Sequence, residues 1–207
     1  MLIGDGTLGK DGRFQIKHSR AQREYLEWKR NLISNFLRVC EPTKKIDRVT
    51  YKGETKEHVS FYIRTRTERF LKLYRKVLYP QGKKRMYTRK ILDKLTPLGI
   101  AIWYMDDGNL SNPKHGQTTQ LTINTYCSRE ECQIICDYFL EVWNIRFGIY
   151  KHRGKFYIRC NTVQSREFVK IVEPFVSQVS CMKYKLNVKP MTERSYKVGE
   201  PRECRTR

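Results

Sequence analysis

Apolar and polar positions recur with short periods along most of the chain. Residues 13–18 set Arg13, Gln15 and Lys17 against Phe14 and Ile16, and residues 118–125 set Thr118, Gln120, Thr122 and Asn124 against Leu121 and Ile123. Period two predicts a half-buried strand in each place. A helix is expected after each. Ser19 stands as an N-cap before Tyr25, Trp28, Leu32 and Phe36, and Ser128 precedes Glu130-Glu131 with Ile135, Phe139 and Val142 recurring at helical spacing. Residues 44–52 and 58–66 predict a strand pair with Gly53 in the turn, and 146–152 with 155–161 predict another with Gly154 at its tip. Helices are expected over 67–79 and 162–173.

The string Phe-Tyr-Ile-Arg occurs at 61–64 and again at 156–159. Each copy follows an Asp-Gly pair, Asp5-Gly6 and Asp107-Gly108, and precedes a helical segment and then a lysine in a basic stretch, Lys84 and Lys185. The same order twice predicts an internal duplication. The repeats are placed at 1–92 and 93–186. The remainder, 187–207, has no repeat partner, and Pro190, Gly199, Pro201 and scattered charges give it the character of a loosely ordered basic tail.

The strand faces suggest a partner. Along 58–66 one face carries His58, Ser60, Tyr62, Arg64 and Arg66, and the other Val59, Phe61 and Ile63; along 155–161, Lys155, Tyr157, Arg159 and Asn161 oppose Phe156, Ile158 and Cys160. A sheet with an apolar back and a front of Arg, Lys, Gln, Asn, Thr and Tyr is the form in which β-ribbons read base edges in a major groove. Solvated sheet faces are polar in any case, but four strands share the basic bias. The set offered to a nucleic acid, with a structural-RNA binder open on charge alone and DNA contact implied by the resemblance below, is Arg13, Gln15, Lys17, Tyr62, Arg64, Arg66, Gln120, Thr122, Asn124, Lys155, Tyr157 and Arg159.

Composition sharpens this. The 207 residues hold 42 Lys+Arg against 21 Asp+Glu, a net charge of +21, together with 13 Tyr, 9 Phe and 3 Trp. That describes a folded protein with a basic surface and a polyanionic partner, not a disordered basic tail. Residues 1–95 carry +15 of the charge and 96–207 carry +6, so the first half is expected to supply more of the sequence-independent phosphate binding. Seven cysteines with no CxxC pair argue against a disulfide framework or zinc ribbon. A reducing, intracellular compartment fits, be it an organelle or a bacterial or phage-host cytoplasm. Leu98–Met105, the longest apolar run, is far short of the roughly 20 residues of a membrane span, and no secretory signal is visible. His18, His58, His115 and His152 lack metal-ligand spacing, and Cys132 with Cys136 reads as small apolar surface on a helix. Asn112 to Gly116 reads as a solvent loop near the DNA. No Gly-rich phosphate loop or Ser/His/Asp triad is present.

The segment Leu95–Gly108 carries the chemistry. Thr96 is a good N-cap and Pro97 suits the first helical position; the helix is then apolar on every side as far as Met105, which predicts that it is buried. It ends in Asp106-Asp107-Gly108, where acidic charge opposes the helix macrodipole. A plain Asp-Gly turn would account for it, yet a locally unfavourable choice also invites a functional explanation.

Leu95 to Asn109 resembles the signature of the LAGLIDADG homing endonucleases, in the Trp-aromatic-Met-Asp-Asp-Gly form of members with two motifs on one chain. Met1-Leu-Ile-Gly-Asp-Gly6 resembles the end of the other copy, and the resemblance covers about residues 1–186. It implies an α+β fold of two pseudo-twofold-related αββαββα repeats forming a saddle of antiparallel sheets, with the motif helices side by side at the axis. The first motif helix is truncated to little more than a turn, and Ile102 replaces the usual close-packing small residue, with Ala101 and Gly99 beside it. The last acid of each motif, here Asp5 and Asp107, is implied to lie over the scissile phosphates. Gly4 and Asp106 are carried as neighbours in a metal-binding set of Asp5, Asp107, Gly4 and Asp106.

Two carboxylates meeting at the axis form an all-oxygen site suited to Mg²⁺, with Mn²⁺ able to substitute. Lys84 and Lys185 match the family's basic residues around the site and would stabilise negative charge or orient water; Lys83 and Lys183 nearby leave simple phosphate contact open. The implied activity is double-strand DNA cleavage at a long asymmetric site by a monomer, one strand per half, with no membrane partner. Two alternatives stay open: an intron-RNA-binding maturase on the same fold, with or without nuclease activity, and a non-catalytic DNA-binding regulator.

Overall fold

The computed structural model describes residues 1–51, 54–84, 87–111 and 119–188. The first half runs β1 (Thr7–Leu8), β2 (Phe14–Ser19), α1 (Arg23–Ser34), β3 (Thr43–Tyr51), β4 (Glu54–Arg64) and α2 (Arg69–Leu78). After a short α3 (Arg89–Leu92), the second runs α4 (Pro97–Asp107), β5 (Gly108–Ser111), β6 (Gln120–Cys127), α5 (Arg129–Trp143), β7 (Gly148–His152), β8 (Lys155–Cys160) and α6 (Thr162–Val176). A 3₁₀ turn over Ser180–Leu186 follows. The strand orders are β1-β2-β4-β3 and β5-β6-β8-β7, with every pairing antiparallel. The architecture is α+β, duplicated, and unequal at its start. Where the second half has α4, the first has only turns over residues 2–5, closed by the Gly6 N–H donating to Met1 O at 3.2 Å.

Register confirms the duplication. Gln15 lies opposite Arg64, and Thr122 lies opposite Arg159, so the two copies of the repeated string occupy equivalent places. At the β7–β8 turn Arg153 (φ 47°) and Gly154 (φ 81°) are both left-handed, the pattern of a type I′ hairpin whose twist matches its strands. Gly53, Thr118, the loop at 112–116 and the tail beyond Val188 lie outside the described residues.

Helix ends follow local chemistry, with corrections. Ser128 and Glu131 form a reciprocal capping box on α5, and Thr96 accepts from the Gly99 N–H at 3.2 Å on α4. Ser19, in contrast, caps nothing: a 3₁₀ turn over Arg20–Gln22 precedes α1. That helix stops at Ser34, whose hydroxyl donates back to Asn31 O at 2.8 Å, so Phe36 lies beyond the packed face and is 86% exposed. Val142 is also exposed, on the outer side of α5.

The all-round apolar character of α4 has its expected outcome. Ile100 to Met105 are all buried, in one large cluster with Ile123, Phe139, Ile158 and Phe168 of the second half and Ile3 and Tyr25 of the first. Truncating one of these aromatics is worth about 3–5 kcal/mol. The back of the first sheet supports a smaller cluster of Leu8, Phe14, Ile16, Leu26, Ile33, Ile63 and Leu71. Among the described residues no helix is long and apolar enough to cross a membrane.

Candidate active site

Asp5 precedes β1 and Asp107 closes α4 before β5, so each half brings one carboxylate to the same point of its fold. Each acid opens on its own cleft. Asp107 shares a space of about 280 Å³ with Gly4, Lys84, Tyr87, Asn124 and Glu131; Asp5 shares one of about 310 Å³ with Lys17, His18, Gln22, Asp47 and His58. Burial, then the negative charge of Asp106 and Asp5, pushes Asp107 up to about 7. Burial and the Asp106 charge also raise Asp5. The carboxylates therefore repel one another in a partly desolvated setting.

Asp106 is occupied differently. Its Oδ1 accepts from the Lys29 ammonium and from the Tyr25 hydroxyl at 2.9 Å, and its Oδ2 accepts from the Asp5 N–H at 3.1 Å. Lys29 and Tyr25 belong to α1, so this ion pair links the two halves, and both charged side chains are fully buried. The Lys29 Nζ also lies 3.1 Å from His18 Nε2. An ammonium has only donors, so Nε2 is the acceptor, and the ring hydrogen sits on Nδ1, which faces Asp5 Oδ2 at 3.6 Å. Burial and the Lys29 charge pull His18 down to about 4, which leaves the ring neutral at pH 7.

Ligand atoms of Asp5, His18 and Asp106 lie within 4.8 Å of one another. The His18 lone pair is engaged by Lys29, however, and Asp106 is neutralised by it. Asp5 and Asp107 are the acids left facing open clefts. Gly4 makes the arrangement possible: a Cβ there would lie 2.2 Å from Asp106 Oδ2, so no side chain fits.

The two lysines expected around the site hold the backbone. Lys84 Nζ donates to Gly4 O at 2.7 Å and Gly6 O at 2.9 Å, on either side of Asp5. Lys185, only 4% exposed, donates to Tyr104 O at 3.2 Å, Met105 O at 2.5 Å and Gly108 O at 2.8 Å, spanning Asp107. Burial lowers Lys84 and brings Lys185 down to about 8. In both halves an ammonium collects the carbonyls of the acid-bearing turn, which at the end of α4 also compensates the helix dipole.

Of the expected DNA-contacting residues, most lie on the strands, in matched pairs. Arg64 Nε donates to Gln15 Oε1 at 3.0 Å, and in the second half Arg159 Nε donates to Thr122 Oγ1 at 3.3 Å, with Arg159 also reaching Tyr157 OH at 3.1 Å. Arg64 and Arg159 stack over Tyr62 and Tyr157. Lys155 lies over the exposed ring of Tyr126, and Lys17 donates to Asp47 at 2.7 Å, which with Lys45 holds that carboxyl down at about 2. Gln120 opens β6 opposite Ser111. Arg13, Tyr62, Arg64 and Arg66 border a groove of about 1290 Å³ together with Phe36 and Arg38. Asn124 departs from the set: its amide donates to Asp107 O at 3.2 Å, in the acid's own cleft. Sequence reasoning missed Tyr25, Lys29 and the role of His18. The available signal was Lys29 itself, four residues after Tyr25 on a face that continues to Ile33.

Two like halves, each presenting a basic strand face and one carboxylate cleft, define a duplicated α+β domain of pseudo-twofold design. The chain belongs to the LAGLIDADG DNA endonuclease family, whose model matches residues 1–168. Its fold is that of a homing endonuclease, I-WcaI, in a structure bound to its DNA recognition sequence, with a TM-score of 0.77, 19% identity and coverage of 91% of this chain and 83% of that one. Among curated relatives, a RecA protein of Mycolicibacterium flavescens is 30% identical over 205 residues, and the chain spans 44% of its length. The cytochrome b mRNA maturase bI2 of Debaryomyces hansenii is 29% identical over 197 residues, covering 89% of this chain and 70% of that protein.

Proposed function

We propose that the chain is a site-specific double-strand DNA endonuclease that hydrolyses one phosphodiester per strand, acts as a monomer and uses Mg²⁺ or Mn²⁺ held by Asp5 and Asp107. One observation carries this: each half ends its acid-bearing turn in a carboxylate that opens on its own cleft, beside a strand face of paired arginines. The donor set fits a hard cation. Asp107 feels its neighbours as charge, burial and repulsion raise both acids, and a divalent cation relieves both effects.

Asp5 and Asp107 would hold the cation, and the chemistry it supplies when bound is acidification of water and stabilisation of the attacking and leaving oxygens. The chain's own residues do the rest. Lys84 and Lys185 fix the acid-bearing turns, and the neutral His18 directs its Nδ1–H toward Asp5. Arg64, Arg159 and their stacked tyrosines hold the duplex against the strands, where the paired Gln15 and Thr122 meet base edges.

A second reading is favoured by the similarity to a maturase: binding of structured intron RNA on the same fold. The test is selection of cleaved sites from a randomised duplex library with Mg²⁺, followed by Asp5→Ala and Asp107→Ala. Each substitution is expected to abolish double-strand cleavage and to leave DNA binding in place. Unchanged cutting in either variant removes the assignment. Absence of cutting with tight intron-RNA binding that both substitutions leave intact favours the maturase.

A further inference from the structure

The sulfurs of Cys127 and Cys132 lie 3.4 Å apart, a sulfur–sulfur contact found for no other pair among the described residues. Cys127 ends β6, and Cys132 lies in the first turn of α5. The link between them is held by the capping box: Ser128 N–H donates to Glu131 Oε2 at 3.0 Å, Glu131 N–H to Ser128 Oγ at 3.2 Å, and Cys132 N–H to Ser128 O at 3.0 Å. On the strand side the β6–β8 register shifts between Ile123 and Cys127, and Tyr126 takes φ 49° with its ring turned outward. Such an irregularity re-aims a side chain, here Cys127 toward the helix. The Thr125 hydroxyl, 3.4 Å from the Cys132 sulfur, closes the other side.

The two thiols are unequal. Cys132 is fully buried, whereas Cys127 is partly open and lines the Asp107 cleft. The S–H of Cys127, aimed at Cys132, holds that thiol below its ordinary value, and the same bond, with burial, holds Cys127 above it; burial pushes Cys136 up to about 12 and Cys160 to about 11. With the proton on the partly open Cys127 and the buried Cys132 beside it as acceptor, the pair has the makings of a nucleophile and its resolving partner.

We propose that Cys127 and Cys132 form a site of reversible oxidation by small peroxides, closing to a disulfide that ties the end of β6 to the first turn of α5. In the first step Cys127 passes its proton to the Cys132 thiolate it faces, and its sulfur attacks one peroxide oxygen. The S–O bond forms, the O–O bond breaks, and the other oxygen leaves as water or alcohol with the thiol's proton. In the second, Cys132 attacks the sulfenic sulfur; the S–S bond forms, the S–O bond breaks, and water leaves. Two thiols give up two electrons, and the peroxide takes them. Closure brings the sulfurs from 3.4 Å to about 2.05 Å.

The experiment exposes the reduced full-length chain to hydrogen peroxide, quenches with N-ethylmaleimide, digests without reductant and maps peptides by mass. The expected product is a Cys127–Cys132 cross-linked peptide, two hydrogens lighter and released by dithiothreitol, with Cys136 and Cys160 recovered as free thiols. Cys132→Ser is expected to block the link and leave a Cys127 sulfenic acid trapped by dimedone. Cys127→Ser, at the partly open edge of the core, tests the same order of events in a near-isosteric variant. Its peroxide consumption is expected to fall at least about tenfold. Recovery of both wild-type thiols alkylated, over-oxidation of Cys127 without a link, or linkage to another cysteine overturns the proposal. No DNA is used, so this outcome is separate from that of the cleavage experiment.

Discussion

The two halves of the molecule reach the same acid by different means. In the second, Asp107 closes an eleven-residue helix sunk in the main core, and α6 packs on that helix through Phe168, Val169 and Val172. In the first, Asp5 stands on a turn. At the offset of 95 residues that superposes the two Phe-Tyr-Ile-Arg strings, the counterparts of those three residues are Leu73, Tyr74 and Val77 of α2, which are 63%, 57% and 73% exposed. The Asp5 turn is held by polar bonds. Lys84 gathers Gly4 and Gly6, the Asp5 N–H donates to Asp106, and Lys29 is paired with that same carboxylate. Further along α1, Glu24 accepts from the N–H groups of Ser180 and Cys181 at 2.8 and 3.0 Å, and Trp28 donates to Gln178 at 3.1 Å. Asp107 is thus held by a packed helix, and the Asp5 turn by polar bonds that cross between the halves.

That contrast is open to attack at four points. The largest effect is expected from Lys29→Met, which leaves the Asp106 charge buried without a countercharge and lowers stability by about 3–5 kcal/mol in urea unfolding. Lys29→Met with Asp106→Leu should recover most of the loss; an unchanged midpoint in the single variant would show that the link between the halves does not depend on the pair. Gly4→Ala comes next, at about 1–3 kcal/mol, because the new methyl overlaps the Asp106 carboxylate and its Cβ; in an Asp106→Gly background, which removes both, the same change should be nearly neutral.

His18→Leu removes the imidazole Nδ1 that stands 3.6 Å from Asp5 and is expected to slow cleavage of one strand by no more than about tenfold, so that a target plasmid accumulates as the nicked form. His18→Gln, which can still donate, should restore linear product. Equal slowing of both strands would place His18 in folding alone.

The smallest effect belongs to Glu24. The N–H groups of Ser180 and Cys181 hold its carboxyl below the ordinary value, so its contribution is present above the unfolded-state pKa and is lost as pH falls through that range. Glu24→Gln should therefore lower stability slightly at pH 7, by about 0.5 kcal/mol for so exposed a group, and the difference should shrink as pH falls below the ordinary carboxylate range.

Much of this was legible in the sequence, for identifiable reasons. The repeated string, the two Asp-Gly pairs and the alternation of β2, β4, β6 and β8 are local patterns, and the fold reproduces them with shifts of a few residues at the ends. Thr96, Pro97, Ser128 and Gly154 announced their caps and turn by chemistry that acts within a few residues. Lys29 did not announce itself. A lysine inside a basic, amphipathic helix ordinarily faces solvent, and only the arrival of Asp106 from the other half turns it into a core residue. Lys84 and Lys185 were placed beside the acids, but the direction of an ammonium toward carbonyls is a property of the assembled turn. Phe36 kept helical phase on paper, while the helix ended two residues earlier.

The contact between Gly4 and Asp106 also bears on ancestry. These two residues hold the same position in the two motifs, one stripped to a hydrogen and the other grown into a carboxylate that fills the space. The halves are consequently no longer interchangeable. A molecule assembled from two second halves would set aspartate against aspartate at the crossing, with Thr125, Cys132 and Cys136 at the places offset by 107 residues from His18, Tyr25 and Lys29, and with no cation between them. A symmetric pairing of two identical halves would need changes at both positions and at Lys29 together.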